Sequence, residues 1–315
     1  MDNHDSDLSD MVPSVLEAAG LPTAGAVERE SGGIANHVYR AGDEYIVRIG
    51  SGSDGKEFGK SCAVMREIEG QIKSQRLYYG DDSCSEFSFP VMVCEYIAGK
   101  PLHEIWRNIS TTQKRKCFHQ LLEELDRLHE VDWRSIAEFD LSRSWVDKRE
   151  EQLSLLLDRA RADASVDQSL VNQLEAYWVE NHDMLQTSSA PVLIHNDANV
   201  SNFIFTRDLR LRAVIDFDDC DIAPVESEYW NITFELLDDA NPPSLKEIKS
   251  WLKGYYEFED PYALVRLKLD EVYWSLFSMV KDLSWKSKRT ARREAETGYQ
   301  EIFVDNSLRD WFPPR

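Results

Sequence analysis

Residues 191 to 218 constrain this chain more than any other stretch. Pro-Val-Leu-Ile-His-Asn-Asp-Ala-Asn-Val-Ser-Asn-Phe-Ile-Phe is followed by a charged turn and then Leu-Arg-Ala-Val-Ile-Asp-Phe-Asp. Three short apolar runs, Val192 to Ile194, Phe203 to Phe205 and Leu211 to Ile215, are separated by polar turns, which is the pattern of short strands. The chemistry-bearing residues fall at the strand ends. His195, Asp197 and Asn202 lie in the first connection, and Asp216 closes the last run. Two carboxylates and a carboxamide are therefore expected to converge at one edge of a small sheet.

Their spacing narrows the chemistry. Asp197 and Asn202 stand five apart in a His-x-Asp-x-x-x-x-Asn arrangement, with Asp216-Phe-x following on a strand, the spacing of kinase-type phosphoryl transfer. Such transfer needs a positioned acceptor hydroxyl and a divalent metal more than covalent help from the protein. Asp197 would orient the hydroxyl and take its proton, while Asn202 and Asp216 offer the hard oxygen ligands that Mg²⁺ prefers. The plainer alternative is that Asp197 and Asn202 make side-chain turns and Asp216 caps the next element.

On these residues the segment resembles the aminoglycoside phosphotransferase and choline kinase-like family. His195-Asn-Asp, Asn202-Phe-Ile-Phe and Val214-Ile-Asp-Phe look most like its aminoglycoside 2''-phosphotransferases. The resemblance implies an α+β, two-lobed protein-kinase-like fold, with an antiparallel sheet and a helix in the N-lobe and a mainly helical C-lobe. It places the nucleotide-binding lobe at 1–98, and the catalytic loop, metal site and acceptor-binding helices at 99–315. The chain departs from the family pattern at Asp218, where Gly is usual, and at Ala223-Pro224-Val225, which replaces Gly-Asp-Pro.

Composition limits the classes of partner. With 315 residues, 42% hydrophobic and 30% charged, the chain can bury a substantial core and is not of disordered type. A formal net charge of −21 speaks against nucleic acid and suits a small cationic ligand. No apolar run is long enough to span a bilayer, so no membrane partner is expected. The acidic N-terminus is unlike a secretory signal, and five scattered cysteines without a Cys-x-x-Cys pair fit free thiols and a cytoplasmic location, not zinc.

The first hundred residues carry the expected nucleotide contacts. A short helix is expected over 12–19, then strands between Glu28 and Val47. Ser31-Gly32-Gly33 lies among these strands; alone it reads as a plain turn, and the resemblance makes it the nucleotide-positioning loop. Arg48 stands where such kinases carry a strand lysine for the α- and β-phosphates, and its other reading is a surface strand arginine. Gly50 to Lys56 imitates a phosphate-binding loop, but Glu57 stands where Ser or Thr would hold Mg²⁺, so 50–60 reads as a polar loop. Spacings of four among Val64, Ile68 and Ile72 predict a helix from Ser61 to Tyr79. Within it Glu67 matches the residue that pairs with the strand basic group, Glu69 being the competitor. The resemblance also puts backbone groups near Glu95 and Ile97 against the purine edge.

Beyond the hinge, Ser110-Thr-Thr-Gln reads as a capping box opening a helix, and two more helices are expected over 144–162 and 166–184. From Asp216 to Ala240 there are nine carboxylates and no Lys or Arg. Such a run is either a solvated acidic loop or a surface neutralised by cations, and on the second reading Asp219, Glu228 and Glu235 contact a polyammonium acceptor beside Asp197. A last helix is expected over 264–285; Glu271 and Trp274 share a face of it, and the resemblance sets them against the amino sugars, the alternative for Trp274 being core. The resemblance as a whole implies a Mg²⁺-dependent kinase that uses ATP or GTP to phosphorylate a hydroxyl of an aminoglycoside-type antibiotic, conferring resistance. A kinase of a smaller amino alcohol or sugar such as choline, or a catalytically silent nucleotide-binding scaffold, are the rival readings.

Overall fold

The computed structural model describes residues 7–22, 25–30, 36–50, 56–137, 139, 144–229, 232, 243–255, 260 and 262–280. Ser31, Gly32, Gly33 and Glu235 lie outside the described residues. Those that are described belong to two compact units, the first drawn from Met1–Asp140, Val192–Ile222 and Asn231–Pro243, the second from Leu141–Pro191, Ala223–Trp230 and Ser244–Arg315.

The first unit is built on a five-stranded antiparallel sheet of β1 (Val27–Arg29), β2 (Asn36–Ala41), β3 (Tyr45–Gly50), β4 (Leu77–Asp81) and β5 (Val91–Glu95), in the order β1-β2-β3-β5-β4. Alternation decides its faces. Tyr45, Val47 and Ile49 of β3 pack with Val91 and Val93 of β5 and with Val12, Val15 and Leu16 of α1 (Val12–Ala18) in one core. Arg48, between Val47 and Ile49 and opposite Met92 in the β3–β5 register, is turned to the other face. There its guanidinium carbon lies 5.8 Å from the ring centre of Phe58, in α2 (Lys56–Glu67).

The helix expected over 61–79 is thus corrected at both ends. It begins at Lys56, inside the expected loop, and ends at Glu67; Leu77–Asp81 is the edge strand β4. Gly70 adopts φ +75°, which breaks the helical path, and the β-favouring Leu77-Tyr78-Tyr79 run finds a partner in β5. Gly80 allows this packing, since a Cβ there would lie 2.3 Å from Cys62 Sγ of α2.

A second, three-stranded sheet holds the functional loop. Its strands β6 (Lys100–Pro101), β8 (Phe203–Phe205) and β9 (Leu211–Val214) run antiparallel in the order β6-β8-β9, and β7 (Pro191–Ile194) leads into the loop. Gly99 is required beside it: a Cβ would meet Ile204 Cγ2 at 2.5 Å and the Phe205 carbonyl oxygen at 2.8 Å. After α3 (Leu102–Trp106), α4 (Thr111–His129) opens on the expected capping box of Ser110 and Gln113 and buries Phe118, Leu121, Leu122, Leu125 and Leu128.

The second unit is mainly helical in its described part. Its α5 (Trp145–Ala162), α6 (Gln168–Asn181) and α8 (Ala263–Val280) share one core, in which Leu153, Leu157, Leu174, Leu269, Val272 and Leu276 take part. The short α7 is Leu245–Leu252. Among the described residues no helix is long and apolar enough to cross a membrane.

Candidate active site

The loop between β7 and β8 is held by its own polar side chains. Asn199 opens a 3-10 turn over Val200–Asn202, its Oδ1 accepting from the Ser201 N–H at 2.8 Å, and its Nδ2 reaches back to Asp197 Oδ1 at 2.9 Å. Asn202, 6% exposed, donates through Nδ2 to Asp197 Oδ2 and to the Asp197 carbonyl, each at 2.9 Å. Both carboxylate oxygens of Asp197 are therefore fixed by amide donors. Burial lifts the Asp197 carboxyl above its ordinary range, against the lowering effect of the Asn199 and Asn202 hydrogen bonds.

Ile215 joins this loop to Asp216. Its N–H donates to the Asn202 carbonyl at 2.9 Å, and its own carbonyl lies 2.9 Å from Nε2 of His195, a fully buried ring packed against Phe217. His195, expected only as a neighbour of the motif, thus holds the Ile215 carbonyl. Asp216 follows with φ +66°, a left-handed backbone that non-glycine residues seldom adopt. Burial raises its carboxyl, Arg48 opposes that shift and Asp218 adds to it.

Arg48 finds its carboxylates here and not on α2. Nη1 donates to Asp218 Oδ1 at 3.2 Å, Nη2 pairs with Asp218 Oδ2, and Asn36 Nδ2 of β2 donates to Asp218 Oδ2 at 3.2 Å. Nη2 also lies 3.2 Å from Asp216 Oδ1. That is an ion-pair distance without hydrogen-bond alignment, so this buried oxygen keeps no hydrogen-bond donor. Burial disfavours the Arg48 charge, yet Asp218 and Asp216 outweigh it and hold the guanidinium firmly protonated.

The expected Glu67–Arg48 pair is accordingly replaced, because Asp216 and Asp218 reach the guanidinium first. Glu67 accepts at its backbone carbonyl from Gln71, and Glu69 pairs with Arg76 at 3.2 Å. At the hinge, the Glu95 N–H is used by the Arg76 carbonyl, its carbonyl accepts from Gln75, and the Tyr96 N–H goes to Glu44. Sequence reasoning missed Asn199, Asn36 and the role of Asp218. The signal for Asp218 was present: a buried strand arginine needs carboxylates, and an Asp-x-Asp pair just past a strand can supply two.

The expected acceptor residues are divided between the units. Asp219, exposed, is in the first, where its carbonyl accepts from Asn196 Nδ2 at 3.0 Å. Glu228, Glu271 and Trp274 belong to the second. Glu228 has no exposed surface, which removes it from ready contact with a ligand. Glu271 and Trp274 are both partly exposed on α8; Glu271 accepts from Ser275 Oγ at 2.8 Å, and Trp274 hydrogen-bonds Asp270 and stands edge-on to Tyr273 and Phe277. Beside them Arg149 pairs with the buried Asp270 at 3.2 Å and lies 3.9 Å above the Tyr273 ring.

The class that this fold and loop define is a phosphotransferase with an alcohol group as acceptor. The chain belongs to the phosphotransferase enzyme family, whose model matches residues 26–261. Solved structures share the fold. The gentamicin–APH(2'')-IIa complex superposes with a TM-score of 0.71 at 18% identity, covering 93% of this chain and 96% of that one. ADP-bound aminoglycoside phosphotransferase APH(2'')-Ib gives 0.69 at 17% identity over 95% and 100%. A choline/ethanolamine kinase family protein from Mesorhizobium loti gives 0.67 at 16% identity, over 96% of each chain. No curated protein matches the chain.

Proposed function

We propose that this chain transfers the γ-phosphate of ATP or GTP to a hydroxyl of a cationic aminoglycoside-type antibiotic and so confers resistance to it. The observation that carries the reading is the Asp197 carboxylate, fixed at both oxygens and tied through Ile215 to Asp216. A carboxylate held in this way has its orientation settled before an alcohol arrives, and burial strengthens it as a proton acceptor. Asp197 is the acceptor-orienting base.

The residues present fit a divalent cation. Asn202 spends its N–H groups on Asp197, which leaves the carboxamide oxygen as a ligand atom, and Asp216 brings a buried oxygen with no hydrogen-bond donor. Mg²⁺ needs only one or two protein oxygens, since it fills the rest of its shell with water and phosphate oxygens. Bound there, Mg²⁺ supplies positive charge to the phosphates. Arg48 is assigned to phosphate, with Ser31, Gly32 and Gly33 as the covering loop, and the Ile97 backbone to the base.

Asp219 and Glu235 are assigned to acceptor recognition on the first unit, and Glu271 and Trp274 are assigned to it separately on the second. The net charge of −21 supports a cationic acceptor, and the likeness to the gentamicin–APH(2'')-IIa complex supports an aminoglycoside. A smaller amino alcohol is the second reading, favoured by the likeness to the choline/ethanolamine kinase family protein. The test is a nucleotide-consumption screen over aminoglycosides, choline, ethanolamine and neutral sugars, followed by mass analysis. Mg²⁺-dependent gain of one phosphoryl group by an aminoglycoside is the expected result. Phosphorylation of choline or ethanolamine alone moves the function to the second reading, and nucleotide binding without turnover on any acceptor contradicts both.

A further inference from the structure

Arg48 is the cation that the middle strand brings to the site, and its hydrogen-bond and ion-pair partners there are Asp218 and Asp216. The Asp218 carboxylate is pinned from two strands, by Asn36 of β2 and Arg48 of β3, and the Arg48 and Asp218 side chains are only 13% and 18% exposed. At such exposure a bidentate charge pair is far stronger than in water. One guanidinium meets two carboxylates, Asp216 and Asp218, so the pair keeps a net negative charge. A centre of this kind repels a bare polyphosphate and attracts one that carries a divalent cation.

We propose that Asp218 makes this site select metal-bound nucleotide over free nucleotide. Its carboxylate occupies the Arg48 fork, and Arg48 turns to phosphate only when a divalent cation takes up the negative charge of Asp216 and Asp218. Asp218 is thus a specificity-determining residue of the nucleotide site. The inference rests on the nucleotide reading above and deepens it.

Calorimetric titration of the full chain with ADP, once with Mg²⁺ and once with EDTA, tests the proposal without turnover. D218N removes the charge and keeps a hydrogen-bond acceptor for Asn36, so ADP in EDTA is expected to bind about tenfold tighter than to the parent, and the advantage conferred by Mg²⁺ to shrink. D218E keeps the charge and is expected to keep the parent's ratio. If D218N melts below the assay temperature, D218S carries the same expectation in its place. Weaker ADP binding in EDTA by the neutral variant, or an equal change in both arms, overturns the proposal, because loss of mere structural support acts on both. Failure of the parent itself to bind ADP in either arm ends the nucleotide reading and this proposal with it.

Discussion

An aspartate on a free loop turns readily about its side-chain bonds; Asp197 does not, because Asn199 and Asn202 each donate an amide N–H to one of its oxygens. Asn199→Ala removes one donor and also the cap on Ser201, so kcat is expected to fall about ten- to hundredfold with the nucleotide KM nearly unchanged. Steady-state kinetics on both substrates check this, and a change confined to nucleotide KM would contradict it. Asp216 offers a second test. Asparagine tolerates the left-handed backbone at φ +66°, so Asp216→Asn is expected to fold with a melting temperature close to the parent's. It loses the charge that a cation needs, so the extra thermal stabilisation by ADP with Mg²⁺ over ADP with EDTA is expected to vanish. Retention of that increment in the variant would remove Asp216 from the metal site.

Elements are tied together here by a few buried carboxylates. Glu124 of α4, 1% exposed, accepts from the Lys73 N–H at 3.0 Å, from the Lys73 ammonium at 3.0 Å and from Arg127. Burial raises this carboxyl, but the Lys73 backbone and side-chain bonds and Arg127 outweigh it, and the net shift is downward. A carboxyl depressed in the fold gives stability that is present above its unfolded pKa of about 4.3 and is lost as pH falls toward the folded value. Glu124→Gln is expected to lower stability at pH 7 by about 1–3 kcal/mol and to flatten the loss as pH falls below about 4.3. Urea unfolding across that range measures it; an unchanged acid slope would show that Glu124 is not the group responsible.

The same scale shows what could be read in advance. The strands around 191–218 were legible because each apolar run is bounded by polar residues, and β7, β8 and β9 stand at Pro191–Ile194, Phe203–Phe205 and Leu211–Val214. The helix expected to Tyr79 was not, because Ile72 continues the spacing of Val64 and Ile68 while only pairing with β5 makes Leu77–Asp81 a strand. The partner of Arg48 was equally hidden. Spacing along a helix proposes Glu67, and only the fold brings Asp218 across 170 residues of chain.

At the scale of the whole molecule, charge is the property that sequence alone establishes. A net charge of −21 concentrates and steers cations, and this attraction weakens as salt shortens the Debye length from about 30 Å at 0.01 M to 8 Å at 0.15 M. For a polycationic acceptor, kcat/KM is expected to drop severalfold over that range, with nucleotide KM changing less. Equal salt effects on both substrates would count against a cationic acceptor. The family, matched over 26–261, was legible through one loop and the strand after it, whereas the acceptor contacts were not, since acidic runs and α8 aromatics have ordinary structural uses. The central claim is that Asp197 acts on the acceptor hydroxyl and not on the nucleotide. It is tested most directly by Asp197→Ala, with phosphoryl transfer and ADP affinity measured on the same preparation. A fall in kcat of about 10²–10⁴ with ADP affinity within a few-fold of the parent is the expected result; turnover close to the parent's would contradict it.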